Sequence, residues 1–460
     1  MPDVYSKNCN FGEKDGIMIG RQKFLQSAIL AGSTFLSAGK NHAATKLTSH
    51  HDDLNIALIG AGEQGRKALM VSCLKIPGIR FKAVCDIWPY NLSYAVNMVN
   101  KYKHGAKGYE DYRDMLAQEK DLDAVLVASP DWMHAEHANA CMNAGLHVYC
   151  EKEMSNSLEK ARSMVQTSRT TGKLLQIGHQ RRSNPRYIHA IDRLIRETGL
   201  LGRVTHSYAQ WNRSKKASLD LICPEKDALG KSVLEKYGYT SMHELRNWRW
   251  YKKYGGGPIV DLGSHQIDLY SWVWGVNPKS VIASGGTDFY KNREWYDNVM
   301  TIYEYDTPFG MARGYYQVLT TTARGGFYET FMGENGTIVI SEVFAYGNVV
   351  ERESHAPEWD ELTKRGYLIA SEPPLSQSIS RNIQLDVKAT VQGGRWLLPV
   401  ELAKKEHQPH LENFFEAIRS DVPLNCPGEK AYETAVAVLA ANEAVASGKR
   451  IEFKPEEFEV

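Results

Sequence analysis

The run IALIGAGEQG, Ile56 to Gly65, joins a short apolar stretch to a helix-like one through Gly60, Gly62 and Gly65. A G-x-G-x-x-G at that junction admits few folds. The first glycine makes a tight turn after a buried strand, the second lets a pyrophosphate approach the backbone, and the third packs helix on strand. Free N–H groups at the helix start, around Glu63 and Gln64, then face the phosphates. The next apolar run, FKAVCD, ends at Asp86, 21 residues after Gly65, where a carboxylate can hold both ribose hydroxyls. No arginine follows in CDIWPYN, which favours NAD over NADP. An aspartate here also suits a cap on the helix beginning near Tyr90.

Apolar runs then recur with helix-like segments between them: DAVLVAS, HVYC and KLLQIG alternate with EQGRKALMVSCLK, WPYNLSYAVNMVNKY, HAEHANACMNAG and SLEKARSMVQTSRTTG. That alternation predicts a parallel sheet covered by helices on both faces, ending near Gly178. Beyond it, Arg186 to Glu197 reads as a helix, RVTHSYAQW as a half-buried strand, and the stretch to Tyr254 as a long loop. The runs SVIASGG, VMTIYEY, MARGYYQ, FYETFMG and GTIVIS predict an antiparallel sheet. Residues 342 to 405 carry no readable pattern, and two amphipathic helices, HQPHLENFFEAIRS and KAYETAVAVLAANEAVAS, close the chain. The domains expected are a leader over 1–50, a nucleotide-binding unit over 51–178 and a second domain over 179–460.

At 460 residues the chain exceeds one ordinary core. Its 55 Lys plus Arg balance 54 Asp plus Glu, and no long basic run exists, so nucleic acid is not an expected partner. None of the seven cysteines sits in a C-x-x-C, and Cys73, Cys85, Cys141 and Cys150 lie in or beside apolar runs. Buried thiols, rather than a metal site or a disulfide scaffold, follow. Near the start, MIGRQKFLQSAILAGSTFLSAGKNHAA places Arg21 and Lys23 before a short apolar stretch and small residues ending at Ala44. That is the layout of an export signal, similar to a degenerate twin-arginine one with Met18 as the start, and it is too short for a membrane span. A leader with no export role fits the same residues.

The stretch GGGPIVDLGSHQIDLYSWVWG, Gly255 to Gly275, places Asp261, His265 and Asp268 on one face if it is helical, behind glycines that let a ligand or backbone approach. With SPDWMHAEHANACMNAGLHVYCEKEMS and HQPHLENFFEAIRS, it resembles the Gfo/Idh/MocA oxidoreductases from Asn55 to Pro455. The resemblance implies an N-terminal Rossmann doubly wound sheet plus a C-terminal α/β domain. The latter's open, mainly antiparallel sheet would carry the substrate on one face and a homo-oligomer interface on the other. It places Lys152 on the family's catalytic lysine and Asp261 and His265 on its Asp and His. Ser129, Pro130 and His134 fall on the loop beside the nicotinamide, and Glu151 on a ribose contact. Glu153 stands where the family usually has proline.

Oxidising a carbinol needs a hydride acceptor, supplied by nicotinamide, and a base, for which His265 suits, oriented by Asp261 or Asp268. Lys152 can donate to the carbinol oxygen. Arg181, Trp211 and Trp250, with neighbours such as Arg213, offer guanidinium and aromatic faces suited to a sugar or polyol; packed tryptophans and solvated arginines are the plainer reading of each. No third or fourth ligand accompanies Asp261 and His265, so no metal is expected. Three functions compete: a carbohydrate dehydrogenase, an NAD-dependent glycosidase working by redox-assisted elimination, and a non-catalytic dinucleotide-binding protein. Export would place the chain where free NAD is scarce, which implies a tightly held cofactor.

Overall fold

Six short strands form a fully parallel sheet: β1 (Leu54–Ile59), β2 (Ile79–Cys85), β3 (Lys107–Tyr109), β4 (Ala124–Val127), β5 (His147–Cys150) and β6 (Leu175–Ile177). Their order is β3-β2-β1-β4-β5-β6. The chain leaves β1 toward one edge and returns at β4 on its other side, which opens a crevice at the carboxyl ends of both strands. β4 is buried throughout, as a strand covered on both faces must be. Helices Pro89–Lys101, Asp131–Asn143 and Leu158–Thr171 make these crossovers; Ser157 caps the last by accepting the Lys160 N–H, and left-handed Gly172 ends it.

This computed structural model describes residues 53–371 and 392–460; the leader and export signal expected over 1–50 lie outside the described residues.

Ten strands form the second sheet: β7 (Val204–Asn212), β8 (Ser280–Gly286), β9 (Asn298–Thr307), β10 (Gly310–Leu319), β11 (Phe327–Gly333), β12 (Gly336–Ile340), β13 (Asn348–Glu353), β14 (Ile369–Ala370), β15 (Gln392–Leu397) and β16 (Ile451–Glu452). The order is β14-β15-β13-β12-β11-β7-β10-β9-β8-β16, antiparallel throughout except for β7 beside β10. Val299, Thr301, Tyr303 and Tyr305 alternate inward along β9, with Ala312, Tyr316 and Val318 beside them on β10. Helices Ser264–Trp274 and Gly428–Ser447 cover that face. Two of the buried tyrosines satisfy their hydroxyls there: Tyr270 donates to the Tyr315 carbonyl at 2.6 Å and Tyr303 to that of Ala437 at 3.0 Å. Helix Gln408–Ser420 places Leu411, Phe414 and Phe415 in the core of the parallel sheet, beside Ile56, Leu58 and Tyr149.

Two expectations need correction. The stretch read as loop up to Tyr254 holds helices Lys231–Lys236 and Met242–Arg246 and its own small core of Leu234, Tyr239, Trp248 and Tyr254. These helices are too short to show a period in sequence. Within 342–405, β13 and β15 extend the second sheet.

Candidate active-site cleft

The glycine turn after β1 has three distinct environments. Gly60 has φ +91°, and a Cβ on it would lie 2.5 Å from Ala128 C and Ser129 N. A Cβ on Gly65 would lie 2.1 Å from the Gly60 carbonyl oxygen, whereas one on Gly62 would meet nothing within 4 Å. Two glycines therefore permit the turn and the helix packing, and the third leaves open the space the sequence reserves for a pyrophosphate. The helix here, Gln64–Met70, is wound more widely than an α-helix. Asp86 accepts the Ala61 N–H at 2.7 Å and the Trp88 N–H at 2.8 Å while lining the cleft. Burial pushes its carboxyl up to about 6 against those two bonds.

Gly60, Gly62, Glu63, Gln64, Asp86, Ser129, Pro130, His134, Glu151 and Lys152 all line one cleft of about 1020 Å³. That volume suits a dinucleotide with a small substrate. Gln64 Nε2 lies 3.2 Å from Glu151 Oε1 and 2.9 Å from His407 Nε2. The His134 ring nitrogens lie 2.7 Å from the Ser129 carbonyl and 2.7 Å from that of Glu153, tying together the loops after β4 and β5. The Lys152–Glu153 peptide is cis.

Lys152 converges with Asp261 as the motifs imply. Its Nζ donates to the Asp261 backbone carbonyl and lies 3.5 Å from Asp261 Oδ1. Arg249 Nε donates to the same carboxylate oxygen at 3.1 Å. Against the upward push of burial, Arg249, Lys152 and Arg213 hold the Asp261 carboxyl well below the usual carboxylate range. Nearby Asp131 goes the other way: burial and the neighbouring Asp261 charge push it up to about 7.

His265 lines the same cleft, 6% exposed, stacked on Trp211 with centroids 5.7 Å apart. Burial, reinforced by Lys152 and Arg181, lowers its pKa well below the ordinary histidine value, so the imidazole is neutral. The expected Asp partner is absent. Asp261 is engaged by Lys152 and Arg249, while Asp268 accepts a forked pair from Arg182 and a bond from Thr434 at 3.0 Å. His265 Nδ1 is buried with no hydrogen-bond partner among the described residues. Full cations outcompete a neutral ring for carboxylates. The glycines before this helix are also filled by protein. A Cβ on Gly257, at φ +80°, would meet the Trp295 ring at 2.8 Å, and one on Gly255 would meet Trp248 at 3.2 Å.

Trp211 and Trp250 line the cleft, but Arg181 does not. Arg181 is 1% exposed and pairs with both Glu329 and Glu342 behind the Trp211 ring. The expectation that it meets substrate is thus corrected: two carboxylates more than a hundred residues away in sequence claim it. Asp131, Arg249 and His407 line the cleft without having stood out in the sequence. Asp131 sits inside the SPDWMH motif and Arg249 between two tryptophans in NWRWYKKY, which were the only available signals. Among the described residues, no three His, Cys, Asp or Glu are grouped to hold a metal, and no helix is long and apolar enough to cross a membrane.

A parallel nucleotide-binding sheet joined to a large, mainly antiparallel one, with the cleft where the first reverses its strand order, defines a two-sheet Rossmann protein. The chain belongs to the Gfo/Idh/MocA family: residues 54–179 match the oxidoreductase family, NAD-binding Rossmann fold, and residues 189–339 match the GFO/IDH/MocA C-terminal domain. It is similar to the D-glucoside 3-dehydrogenase of Escherichia coli (strain K12), 30% identical over 226 residues, covering 48% of this chain and 54% of that protein. It is also similar to glycosyl hydrolase family 109 protein 2 of Shewanella sp. (strain ANA-3), 25% identical, covering 57% and 55%. The chain thus spans about half the length of these curated relatives. The aldose-aldose oxidoreductase structure from Caulobacter crescentus shares the fold with a TM-score of 0.62 at 18% identity, over 87% of this chain and 100% of that one.

Proposed function

We propose that the protein is an NAD-dependent oxidoreductase acting on a carbinol carbon of a sugar, glycoside or polyol. The observation that carries this reading is the convergence, in one cleft with the glycine turn, of a fixed ammonium just past β5 and a neutral imidazole on the helix that covers the second sheet. Gly60, Gly62, Asp86 and Glu151 would hold the dinucleotide, with Gly65 packing the helix that places them, and the dinucleotide supplies a hydride acceptor or donor when bound. Asp86, with no arginine following it in CDIWPYN, favours NAD over NADP. Lys152 is held by Asp261 and donates a further hydrogen to the carbinol oxygen. Neutral His265 accepts the hydroxyl proton through its free lone pair. Trp211 and Trp250 give the ring an apolar face.

A panel of sugars, glycosides and polyols incubated with NAD or NADP, read by nicotinamide absorbance, tests this. Net NADH with at least one member supports it. The glycoside hydrolase relative favours a second reading, in which aglycone is released with no net NADH. NADH bound without turnover of any member would leave a non-catalytic binder. Export and a tightly held cofactor belong to the same proposal, so NAD should co-purify with the protein. Self-association through the outer face of the second sheet also belongs to it, where Ile282 and Ile302 pair across strands, each 37% exposed.

A further inference from the structure

Around Asp261 the cleft gathers more cations than that one carboxylate pairs with. Lys152 and Arg249 share Asp261. Arg213, one residue beyond the end of β7, also lines the cleft, and its guanidinium has no hydrogen-bond or ion-pair partner among the described residues. It lies 5.6 Å from the Trp211 centroid, the ring that stacks on His265. Arg181, which faces the same ring, is by contrast paired with Glu329 and Glu342. A half-buried guanidinium left unpaired beside the reaction centre is costly unless a ligand completes it.

We propose that Arg213 forms an anion subsite that takes the carboxylate of an acidic sugar, a uronate-type substrate. This rests on the oxidoreductase reading and narrows it. Lys152 and Arg249 are both engaged by Asp261, which leaves the Arg213 guanidinium, and its planar fork matches a carboxylate's two oxygens. The anion comes from the substrate because Arg213 stands on the Trp211–His265 side, fixed to the second sheet, whereas the dinucleotide's phosphates belong to the open space at Gly62.

The test is calorimetric titration of the NADH-loaded protein with glucuronate, galacturonate and mannuronate, each against its neutral hexose. At least one acid should bind about tenfold to a hundredfold tighter than its neutral partner. R213Q should erase that ratio while leaving the NADH dissociation constant within twofold, and R213K, keeping charge without the fork, should restore part of it. The proposal is overturned if no pair separates in the wild type, if R213Q keeps the ratio, or if R213Q weakens NADH several-fold instead, since the anion would then be the cofactor's phosphate. Preferential acid binding with no NADH formed on adding NAD sinks the oxidoreductase reading alone and leaves the subsite standing.

Discussion

Replacing Glu153 with glutamine tests the electrostatics beneath the cleft at the position where the chain departs from its family's proline. The Glu153 carboxyl is fully buried; Oε1 accepts the Met154 N–H at 2.8 Å, and Oε2 has no hydrogen-bond partner among the described residues. His179 Nε2 stands 3.9 Å away, beyond hydrogen-bond reach. Burial, with Asp131 and Asp268 adding to it, pushes Glu153 up to about 8, and burial takes His179 down to about 4. At neutral pH the two are therefore an uncharged pair. A carboxyl whose folded pKa is raised weakens the fold as pH climbs from its unfolded value, 4.5, toward about 8, because only the unfolded chain ionises in that window. At about 1.4 kcal/mol per pH unit, the cost grows by about 3 kcal/mol between about pH 5 and 7.5. Glutamine does not titrate. The unfolding free energy of E153Q minus that of wild type should thus rise by about 3 kcal/mol across this interval, measured by urea denaturation at fixed ionic strength. Groups titrating in both proteins cancel in the difference. Parallel curves would refute the reasoning: Glu153 would then be ionised in the fold and His179 protonated against it.

The glycine turn separates folding from binding. G65A should lower stability by several kcal/mol by thermal melting, because its Cβ would meet a backbone oxygen; G62A should melt with wild type yet lose NADH affinity, read by fluorescence titration. H265N should reduce kcat about a hundredfold or more. Because the lowered pKa keeps His265 neutral into mildly acidic solution, the acid limb of wild-type kcat/KM should fall below pH 6.5, and an inflection near 7 that survives in H265N belongs to Asp131.

Period and punctuation carry most of the fold. β1, β4 and β5 are buried on both faces and read as unbroken apolar runs, while β9 and β10 are buried on one face and alternate. Where elements are short or irregular the signal fails. Helix Met242–Arg246 has barely one turn over which to show a 3.6-residue period, and β14 has two residues. β13 joins the second sheet only because β12 and β15 flank it, a tertiary fact absent from its own six residues.

The site divides along the same line. Which residues enter the cleft was legible, since the strand ends and the glycine turn deliver Asp86, Ser129, Glu151 and Lys152 by topology alone. Which residue each one bonds was not. The spacing from Asp261 to His265 suggests a carboxylate steadying an imidazole, yet that assignment ignores two cations arriving from Lys152 and Arg249. A charge-assisted bond is roughly twice as strong as a neutral one, so the carboxylate goes to them. The consequence is chemical. An imidazole without an anionic partner has no reason to take up a proton before substrate arrives, and burial beside Lys152 removes what tendency remained. In the proposed reaction Asp261 thereby serves the base indirectly, by fixing the ammonium whose charge keeps His265 free to accept.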